Sequence, residues 1–474
     1  MDDSTAGTVD CHLREKYNSC KDLPFYGEYD EKRYCVLHFP NEEKERDTQF
    51  EIALEKKLRD LDLDFSGVYF SGDFPLFDAP LVKEVINDPV HGRILKVSPI
   101  SFLSCEEATH FVDATFTKYA NFVTTFQKEA RFAGAIFKEG ANFSGCKFEG
   151  EADFSKATFN KEANFGGAHF SKEANFWEAI FEEKANFSNV WFLGDALFGV
   201  TVFYENAQFR GTWFEYAADF RWTVFNGEAD FTGAAFDRLS MFWGTNFNRR
   251  VYFWINTFKR GALFSRSIFK EEASFRGLYT SSQTLFDFRS VTVEKPEKIE
   301  FHTVNLRPSW FIDMMDVEKF SFSDVEWFRL PSGEKLTLEA EVEDLATRPI
   351  EPIMESQSLR RLERVCRKLM NLAEQSRDYP TANEFHYWSM EARRKEGWTR
   401  LGLIATLYWA LSGYGERPRR AFFVLVGIWL AFAALYFLLV ASSPFWVFSA
   451  SDVWQGIDYA RLARNRLRSA ISDL

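Results

Sequence analysis

The sequence predicts a mainly β fold in which short extended segments wind into a narrow coil. The first observation is phenylalanine at alternating steps of five and six residues, which fills all 27 expected positions from Phe132 to Phe275. The second is a small side chain two positions before most of these phenylalanines, as Ala141 lies before Phe143. The third is the polar corners between them, such as Lys161-Glu162. A period of 11 residues sustained over this length indicates a repeat architecture.

The spacing of these residues explains the extended backbone. Side chains at positions i−2 and i point to the same side in an extended chain, so each repeat contributes a short strand. Steps of five and six residues do not follow the turn of an α-helix, which excludes helical repeats.

The repeat resembles the pentapeptide-repeat family, whose units read A-D/N-L/F-x-x. The matching units are Ala-Asp-Phe at 152–154 and 229–231 and Ala-Asn-Phe at 141–143, 163–165, 174–176 and 185–187. The resemblance covers about residues 62–330 and implies a right-handed quadrilateral β-helix with four short strands per coil. This chain departs from the family's unbroken step of five residues, because every second unit has six. Four strands per coil then imply that two 11-residue repeats make one coil of about 22 residues, with each phenylalanine stacked on the phenylalanine one coil away. At about 4.8 Å per coil, the run makes about six to seven coils and a rod of roughly 30 Å.

The polar N-terminal segment, residues 1–40, contains a candidate metal site. Cys11, Cys20, Cys35 and His38 are spaced C-x8-C-x14-C-x2-H. A C-x2-H pair can place two ligands on one tight turn, and two upstream thiolates would complete a tetrahedral Cys3His zinc site. Metal binding would fold a segment that is too polar to fold alone. His12 is a substitute ligand, and the competing interpretation is three unpaired thiols and a surface histidine.

Between this segment and the repeat, residues 41–61 predict an amphipathic helix with its apolar residues near one face. Phe65 and Phe70 predict a first, incomplete coil of the β-helix, which spans 62–330 with an inserted, proline-containing loop near 75–100. Beyond Phe275 the pattern becomes irregular, and a Pro-Ser-Gly turn after residue 330 ends it.

The C-terminal part of the chain changes to helical patterns. Residues 352–397 predict two amphipathic helices in an antiparallel hairpin, which docks on the rod or on a partner. Residues 401–411 are too short to span a bilayer and predict a helix lying along its inner surface. Residues 421–441 hold 21 residues without a charge, enough for one transmembrane helix. Arginines precede this span directly, so the positive-inside rule places the repeat domain in the cytoplasm.

The segment from Leu411 to Pro418, followed by the apolar span, resembles the membrane-bearing branch of pentapeptide-repeat proteins. Some members of that branch continue into a two-helix pore similar to that of potassium channels. Residues 442–474 form a C-terminal tail that departs from those members. The tail has no second apolar span and no Thr-Val-Gly-Tyr-Gly filter, which weighs against ion conduction.

The sequence favours a non-catalytic protein. It has no phosphate loop, Rossmann fingerprint, nucleophile elbow or His-Glu-x-x-His motif, and a coil filled with phenylalanine leaves no interior pocket for a small molecule. The net charge is −12, but residues 128–276 carry 18 basic and 19 acidic side chains. The rod therefore lacks the single-sign field expected for binding or mimicking nucleic acid.

The leading hypothesis is a single-pass inner-membrane scaffold that presents a cytoplasmic rod for protein–protein interaction. Its expected partners are unidentified proteins, the lipid bilayer and further copies of itself, and zinc is the only expected cofactor. One alternative is a channel-related membrane protein with a truncated pore region, for which the rod would gate or localise a pore. A second alternative is a topoisomerase-binding DNA mimic, as in some soluble members of the family, which the nearly neutral rod disfavours.

Overall fold

The computed structural model describes residues 11–17, 19, 23–40, 48–59, 62–70, 83–88, 92–97, 103–105, 107–122, 124–280, 284–327, 355–395, 400–415 and 418–441. Contacts divide the chain into two compact units, Met1–Phe385 and His386–Leu474, and each is described by itself. The first unit contains a β-solenoid of about ten coils with four flat sides.

Four parallel sheets form the sides of this solenoid, and the chain visits them in the order face 1 to face 4. The strands of face 1 are Thr109–His110, Ala130–Arg131, Ala152–Asp153, Ala174–Asn175, Ala196–Leu197, Ala218–Asp219, Ser240–Met241, Gly261–Leu263 and Leu285–Asp287. Those of face 2 are Tyr69–Phe70, Thr115–Phe116, Ile136–Phe137, Thr158–Phe159, Ile180–Phe181, Val202–Phe203, Val224–Phe225, Asn246–Phe247, Ile268–Phe269 and Thr292–Val293.

Faces 3 and 4 lie opposite faces 1 and 2, respectively. The strands of face 3 are Ala120–Asn121, Ala141–Asn142, Ala163–Asn164, Ala185–Asn186, Ala207–Gln208, Ala229–Asp230, Val251–Trp254, Ala273–Arg276, Ile299–His302 and Ser321–Ser323. Those of face 4 are Leu103–Cys105, Thr124–Phe126, Lys147–Phe148, His169–Phe170, Trp191–Phe192, Trp213–Phe214, Ala235–Phe236 and Thr257–Phe258. Ala130 pairs with Ala152 and Ala141 with Ala163, so the predicted coil length is confirmed.

Phenylalanine fills the inside of the solenoid in four ladders, one per face. Each of the 27 phenylalanines of the regular run is at most 3% exposed. Phe132 stacks on Phe154 with ring centroids 4.8 Å apart and planes 1° from parallel. Rings of ladders on opposite faces meet edge to face, as Phe165 of face 3 and Phe176 of face 1 do at 5.3 Å. The predicted stacking is therefore confirmed, in the offset and edge-on geometries that aromatic rings prefer.

The corners explain why the steps alternate between five and six residues. The five-residue step joins face 1 to face 2 and face 3 to face 4 through a tight turn with one residue at positive φ, such as Lys156 (φ 58°). Glycine occupies many of these turn positions, for which it carries no steric penalty. The six-residue step has one more residue and makes the wider corners. Val200 (φ 60°) and Ile255 (φ 56°) adopt the left-handed conformation although their β-branched side chains make it costly.

Hydroxyl groups at some small positions hydrogen-bond to the backbone inside the rod. Thr201 Oγ1 donates to the carbonyl oxygen of Phe176 at 2.6 Å, and Thr212 does the same to Phe187. The carbonyl oxygen of Phe176 also accepts from the backbone N–H of Ala179 at 3.0 Å, so the threonine supplies a second hydrogen bond to it. Burying the hydroxyl group is tolerated because the hydroxyl itself has a partner.

The remaining elements flank the solenoid or lie in the second unit. Two antiparallel hairpins are Phe25–Tyr29 with Lys32–Cys35, and Lys83–Asp88 with Gly92–Val97, and a parallel pair is Asn305–Leu306 with Glu326–Trp327. The short 3-10 helices are Pro296–Lys298, Pro308–Phe311 and Val317–Lys319. The α-helices are α1 (Thr48–Arg59), α2 (Glu355–Gln375), α3 (Tyr379–Lys395), α4 (Arg400–Ser412) and α5 (Pro418–Ala441).

Helix α2 covers the C-terminal end of the solenoid. Its predicted apolar face is buried, with Leu362 and Leu369 each 1% exposed. Lys368 Nζ donates to the carbonyl oxygen of Met314 at 2.8 Å, and Arg361 pairs with Asp313 at 3.0 Å. An end of a solenoid needs such a cover because its last coil would otherwise expose apolar side chains.

Candidate functional site

The structure brings three of the four predicted metal ligands together. Cys11 Sγ, Cys35 Sγ and one ring nitrogen of His38 all lie within 4.8 Å of one another, and the three residues are buried. His38 Nδ1 is 3.6 Å from Cys11 Sγ and 3.4 Å from Cys35 Sγ. Cys20 lies outside the described residues, and His12 is exposed and not part of the group.

These distances fit a tetrahedral metal site. Zinc bonds of about 2.3 Å to sulfur and about 2.0 Å to nitrogen give a sulfur–nitrogen edge of roughly 3.5 Å in a tetrahedron. The second ring nitrogen, His38 Nε2, lies 3.1 Å from the carbonyl oxygen of Ser66 and 3.0 Å from Ser19 Oγ. Metal-binding histidines commonly donate their second N–H to a carbonyl in this way, which fixes the ring and aims the other nitrogen at the metal.

The environment of His38 favours positive charge among the sulfur atoms. Burial alone would lower the pKa of His38, but hydrogen bonds from its ring to Cys11 and Cys35 raise that pKa to about 9. Cys146 shows the opposite environment, because burial in the rod raises the pKa of its thiol to about 12. Its Sγ donates to the carbonyl oxygen of Phe122 at 2.6 Å, so Cys146 is a packing residue.

The outer surface of the solenoid changes composition at Trp177. Residues 120–176 contain no tryptophan or tyrosine, six lysines and one arginine. Residues 177–280 contain six tryptophans, four tyrosines, three lysines and eight arginines. We call these stretches the lysine half and the aromatic half of the regular rod. The interior phenylalanines continue unchanged through both halves, so the change in tryptophan, tyrosine, lysine and arginine concerns the side chains that face outward.

Lysines of the lysine half pair with carboxylates one coil away. Lys161 Nζ lies 2.7 Å from a carboxylate oxygen of Glu183, one coil further along. Lys128 and Glu107 are joined in the same way at 2.6 Å. These side chains are about half exposed, so each pair contributes little free energy, but together they give a hydrated, self-neutralising surface.

The aromatic half carries a row of outward side chains along the corner between faces 1 and 2. We define the aromatic stripe as Trp177, Val200, Trp222, Trp243 and Arg266. The rings of Trp222 and Trp243 meet at 4.7 Å, and the guanidinium of Arg266 lies 5.4 Å from the Trp243 ring. Trp222 is 47% exposed and Val200 39% exposed, and both hold positive φ angles near 60°. Apolar residues are thus held in the strained conformation while they face solvent.

The second unit contains an apolar helix preceded by an aromatic and charged cluster. Tyr414 is 1% exposed, and its hydroxyl donates to Glu391 Oε2 at 3.0 Å. Burial is the main cause that raises the pKa of Tyr414, so its hydroxyl remains a donor at physiological pH. Trp409 contacts two guanidinium groups, Arg394 at 4.9 Å and Arg420 at 4.3 Å from its ring centre.

Helix α5 is the one candidate membrane span in the described part of the chain. The window Pro418–Leu439 has a mean hydropathy of 2.5, and none of it is buried within the protein. A span of 22 residues is about 33 Å long as an α-helix, which matches the hydrocarbon core of a bilayer. Helix α4 is apolar but shorter.

Comparisons with known proteins agree with this fold. A family model described as pentapeptide repeats (9 copies) matches residues 132–180, which lie in the regular part of the solenoid. The fold is accordingly a β-solenoid built from pentapeptide repeats, followed by C-terminal helices. No curated protein and no solved structure matched the chain.

Two features of these sites were not predicted from the sequence. Ser19 and Ser66 carried no motif that would mark them as neighbours of His38, because they come together only through the path of the chain. The aromatic half did have a readable signal, namely the absence of tryptophan and tyrosine between Tyr119 and Trp177. This difference in composition is found only when the outward residues of successive repeats are compared separately from the inward phenylalanines and small residues.

Proposed function

We propose that this protein is a non-catalytic, membrane-anchored scaffold whose aromatic half binds a partner protein. The observation that carries the proposal is the change in outward composition at Trp177. Tryptophan, tyrosine and arginine are enriched in the residues that dominate binding energy at protein interfaces, whereas lysine and glutamate are depleted there. The aromatic half has this composition and the lysine half has the opposite one.

The strained residues of the aromatic stripe support the same proposal. A β-branched or aromatic residue at positive φ costs about 1–2 kcal/mol relative to glycine, and several neighbouring corners of this chain use glycine. Val200 and Trp222 hold this conformation with side chains that are 39% and 47% exposed, and Trp222 contacts Trp243, another member of the aromatic stripe. Strain of this kind is characteristic of residues retained for contact with another molecule.

The double substitution Val200→Gly with Trp222→Gly is expected to abolish capture of the partner protein without unfolding the rod. Glycine fits the positive φ at both positions, as it does at Gly134 and Gly244 of the same corner. Lys156→Gly is the matched control, because Lys156 holds the same turn position in the lysine half (φ 58°). Proximity labelling from the intact protein in its membrane, followed by binding of the labelled protein in purified form, measures the effect. Equal binding by the double variant and the control would contradict the proposal.

We propose further that α5 spans the inner membrane once and that the repeat domain lies on the cytoplasmic side. Arg419 and Arg420 lie at the N-terminal end of α5, whereas residues 421–441 carry no charge. Basic residues remain preferentially on the cytoplasmic side of a span. Helix α4, which carries exposed Leu403, Ile404 and Leu407, is proposed to lie along the inner surface.

Substituting Leu430→Lys together with Ala434→Lys is expected to remove the protein from the membrane. Each lysine near the centre of a span costs about 2.5–3.5 kcal/mol, so two on one face of the helix disfavour insertion by about 5–7 kcal/mol. The exchange Leu430→Ala with Ala434→Leu keeps the composition and is expected to remain inserted. Flotation of membranes after alkaline extraction measures insertion, and wild-type protein that fails to float would refute the span. An N-terminal tag cut by protease only in inside-out vesicles would establish the proposed orientation.

We also propose that Cys11, Cys35 and His38 hold a zinc ion, with Cys20 as the fourth ligand. The fit of their mutual distances to a tetrahedron and the second hydrogen bond of His38 support this proposal. Three sulfur ligands and one nitrogen ligand favour zinc over calcium or magnesium, which prefer oxygen. A closed set of four protein ligands is typical of structural rather than catalytic zinc.

A further inference from the structure

We infer that the metal site locks the N-terminal segment as a cap onto the first coils of the solenoid, so that zinc controls whether this end of the rod is closed or open. The inference rests on the zinc ligation proposed above. Its basis is the position of the cluster: His38 bonds to the first, incomplete coil through the carbonyl oxygen of Ser66, 28 residues further along the chain.

Several contacts join the cap to the first coils around this point. Ser19 Oγ donates to the carbonyl oxygen of Ser66 at 2.7 Å. The backbone N–H of Tyr69 donates to the carbonyl oxygen of Leu37, directly before His38, at 3.1 Å. Cys35 and His38, both in the cluster, thus belong to the turn that pairs with the first strand of face 2. An ion held by this turn would therefore fix a backbone segment that is itself bonded to the solenoid.

Tyr17 extends the cap over the next coil. Its hydroxyl donates to Asp113 Oδ2 at 2.7 Å, and Lys16 pairs with the same carboxylate at 2.9 Å. The Tyr17 ring lies against Gly67, where an added Cβ would come within 2.3 Å of the ring. Gly67 (φ 69°) therefore serves both the turn and the close approach of the cap.

The cap covers the last rungs of two phenylalanine ladders. Phe65 and Phe70 stack on Phe111 and Phe116 respectively, and they are 0% and 3% exposed although they stand at the end of their ladders. The N-terminal end of face 2 would otherwise present an unpaired strand edge beside these rings. Such an edge readily pairs with another chain, so solenoids need a terminal cover.

The cap buries only a small apolar core in its described residues. It consists of one short hairpin, irregular turns and α1, and its described buried apolar residues are few: Cys11, Tyr17, Cys35, Val36, Leu37, Phe50 and Ala53. Segments of this size and polarity are usually stabilised by disulfides or metals, and the energy of binding a structural zinc is energy of folding. Removing the ion should therefore release the cap before it affects the middle of the rod.

The test compares hydrogen exchange in the full-length protein, kept in detergent, before and after a zinc chelator is added. We expect about one zinc per chain, and we expect chelation to speed exchange at residues 62–70 and 109–117 about tenfold or more. Residues 150–250 should be unchanged, and added zinc should restore slow exchange. Cobalt substituted for zinc should give the intense absorption of a tetrahedral thiolate site.

Two variants make the outcomes distinguishable. Cys35→Ser should lose the zinc and show fast exchange at 62–70 without chelator, whereas Cys366→Ala, which removes a buried thiol outside the cluster, should behave as wild type. Absence of zinc and of the cobalt spectrum would overturn the metal site and the lock together. Bound zinc whose removal leaves exchange at 62–70 unchanged would overturn the lock alone. If Cys35→Ser does not fold, reversible chelation of the wild-type protein decides the same question.

Discussion

Replacing Phe187 with alanine is expected to lower the free energy of unfolding by about 3–5 kcal/mol. Phe187 is 0% exposed and stacks between Phe165 at 4.9 Å and Phe209 at 5.1 Å. Its ring also meets Phe176 and Phe198 edge to face. The substitution removes the ring from both stacking contacts and leaves a cavity that the rigid neighbouring coils cannot fill. The loss of stability therefore includes both the lost burial of the ring and the cost of the cavity.

Chemical denaturation of the full chain in detergent, followed by tryptophan fluorescence, measures this loss. Tyr204→Ala is the matched control, because Tyr204 lies in the adjacent coil with its side chain 53% exposed, and we expect it to change stability by less than about 0.5 kcal/mol. Each coil contacts only its neighbours, so local unfolding should begin at the substituted coil. An unchanged denaturation midpoint for Phe187→Ala would show that the stacked ladder does not stabilise the rod.

Replacing Gly261 with alanine is expected to cost about 3 kcal/mol or more. Gly261 has φ 103°, a conformation that residues with a Cβ rarely adopt. An added Cβ would lie 1.6 Å from the carbonyl oxygen of Leu285 on the paired strand of face 1. Backbone on both sides would have to move, because neither the strained φ nor the close approach can be relieved by a side-chain rotation.

Gly277→Asn is the matched control. It separates the effects of the φ angle and of the close Leu285 carbonyl oxygen at position 261 from the effect of replacing any glycine. Gly277 has φ 59°, which asparagine tolerates, and the nearest atom to an added Cβ is 4.0 Å away. We therefore expect Gly277→Asn to stay within about 1 kcal/mol of wild type. The same denaturation experiment compares the two, and equal losses would show that the approach of Leu285 is not what requires glycine at position 261.

The two halves of the rod suggest how one repeat can serve two purposes. The inward residues are nearly constant and hold the coils together, whereas the outward residues are free to vary. Lysines of the lysine half pair with carboxylates one coil away, as Lys161 pairs with Glu183. In the aromatic half the outward residues expose rings and guanidinium groups. If the aromatic half binds a partner protein, as proposed above, a rigid rod would hold that partner at a fixed position along its length.

The coil and the phenylalanine ladders could be predicted from the local pattern of residues. Phenylalanine at steps of five and six, with a small residue two positions earlier, is a short-range pattern, and in an extended chain it sets which side chains point inward. The burial of Phe132, the pairing of Ala141 with Ala163 and the stacking of successive rings follow from that pattern. The buried face of α2 was predictable for the same reason, because Leu362 and Leu369 recur at helical spacing.

The arrangement of the ends and of the outer surface could not be predicted from local patterns and depends on the path of the folded chain. Spacing gave Cys11, Cys35 and His38 as candidates, but the path of the chain between them placed their donor atoms together and set His38 against Ser66. The positive φ of Val200 was equally hidden, because glycine and non-glycine residues share that corner position. Periodicity fixes which neighbours lie along the repeat, whereas contacts between irregular segments depend on chain geometry that no local pattern encodes.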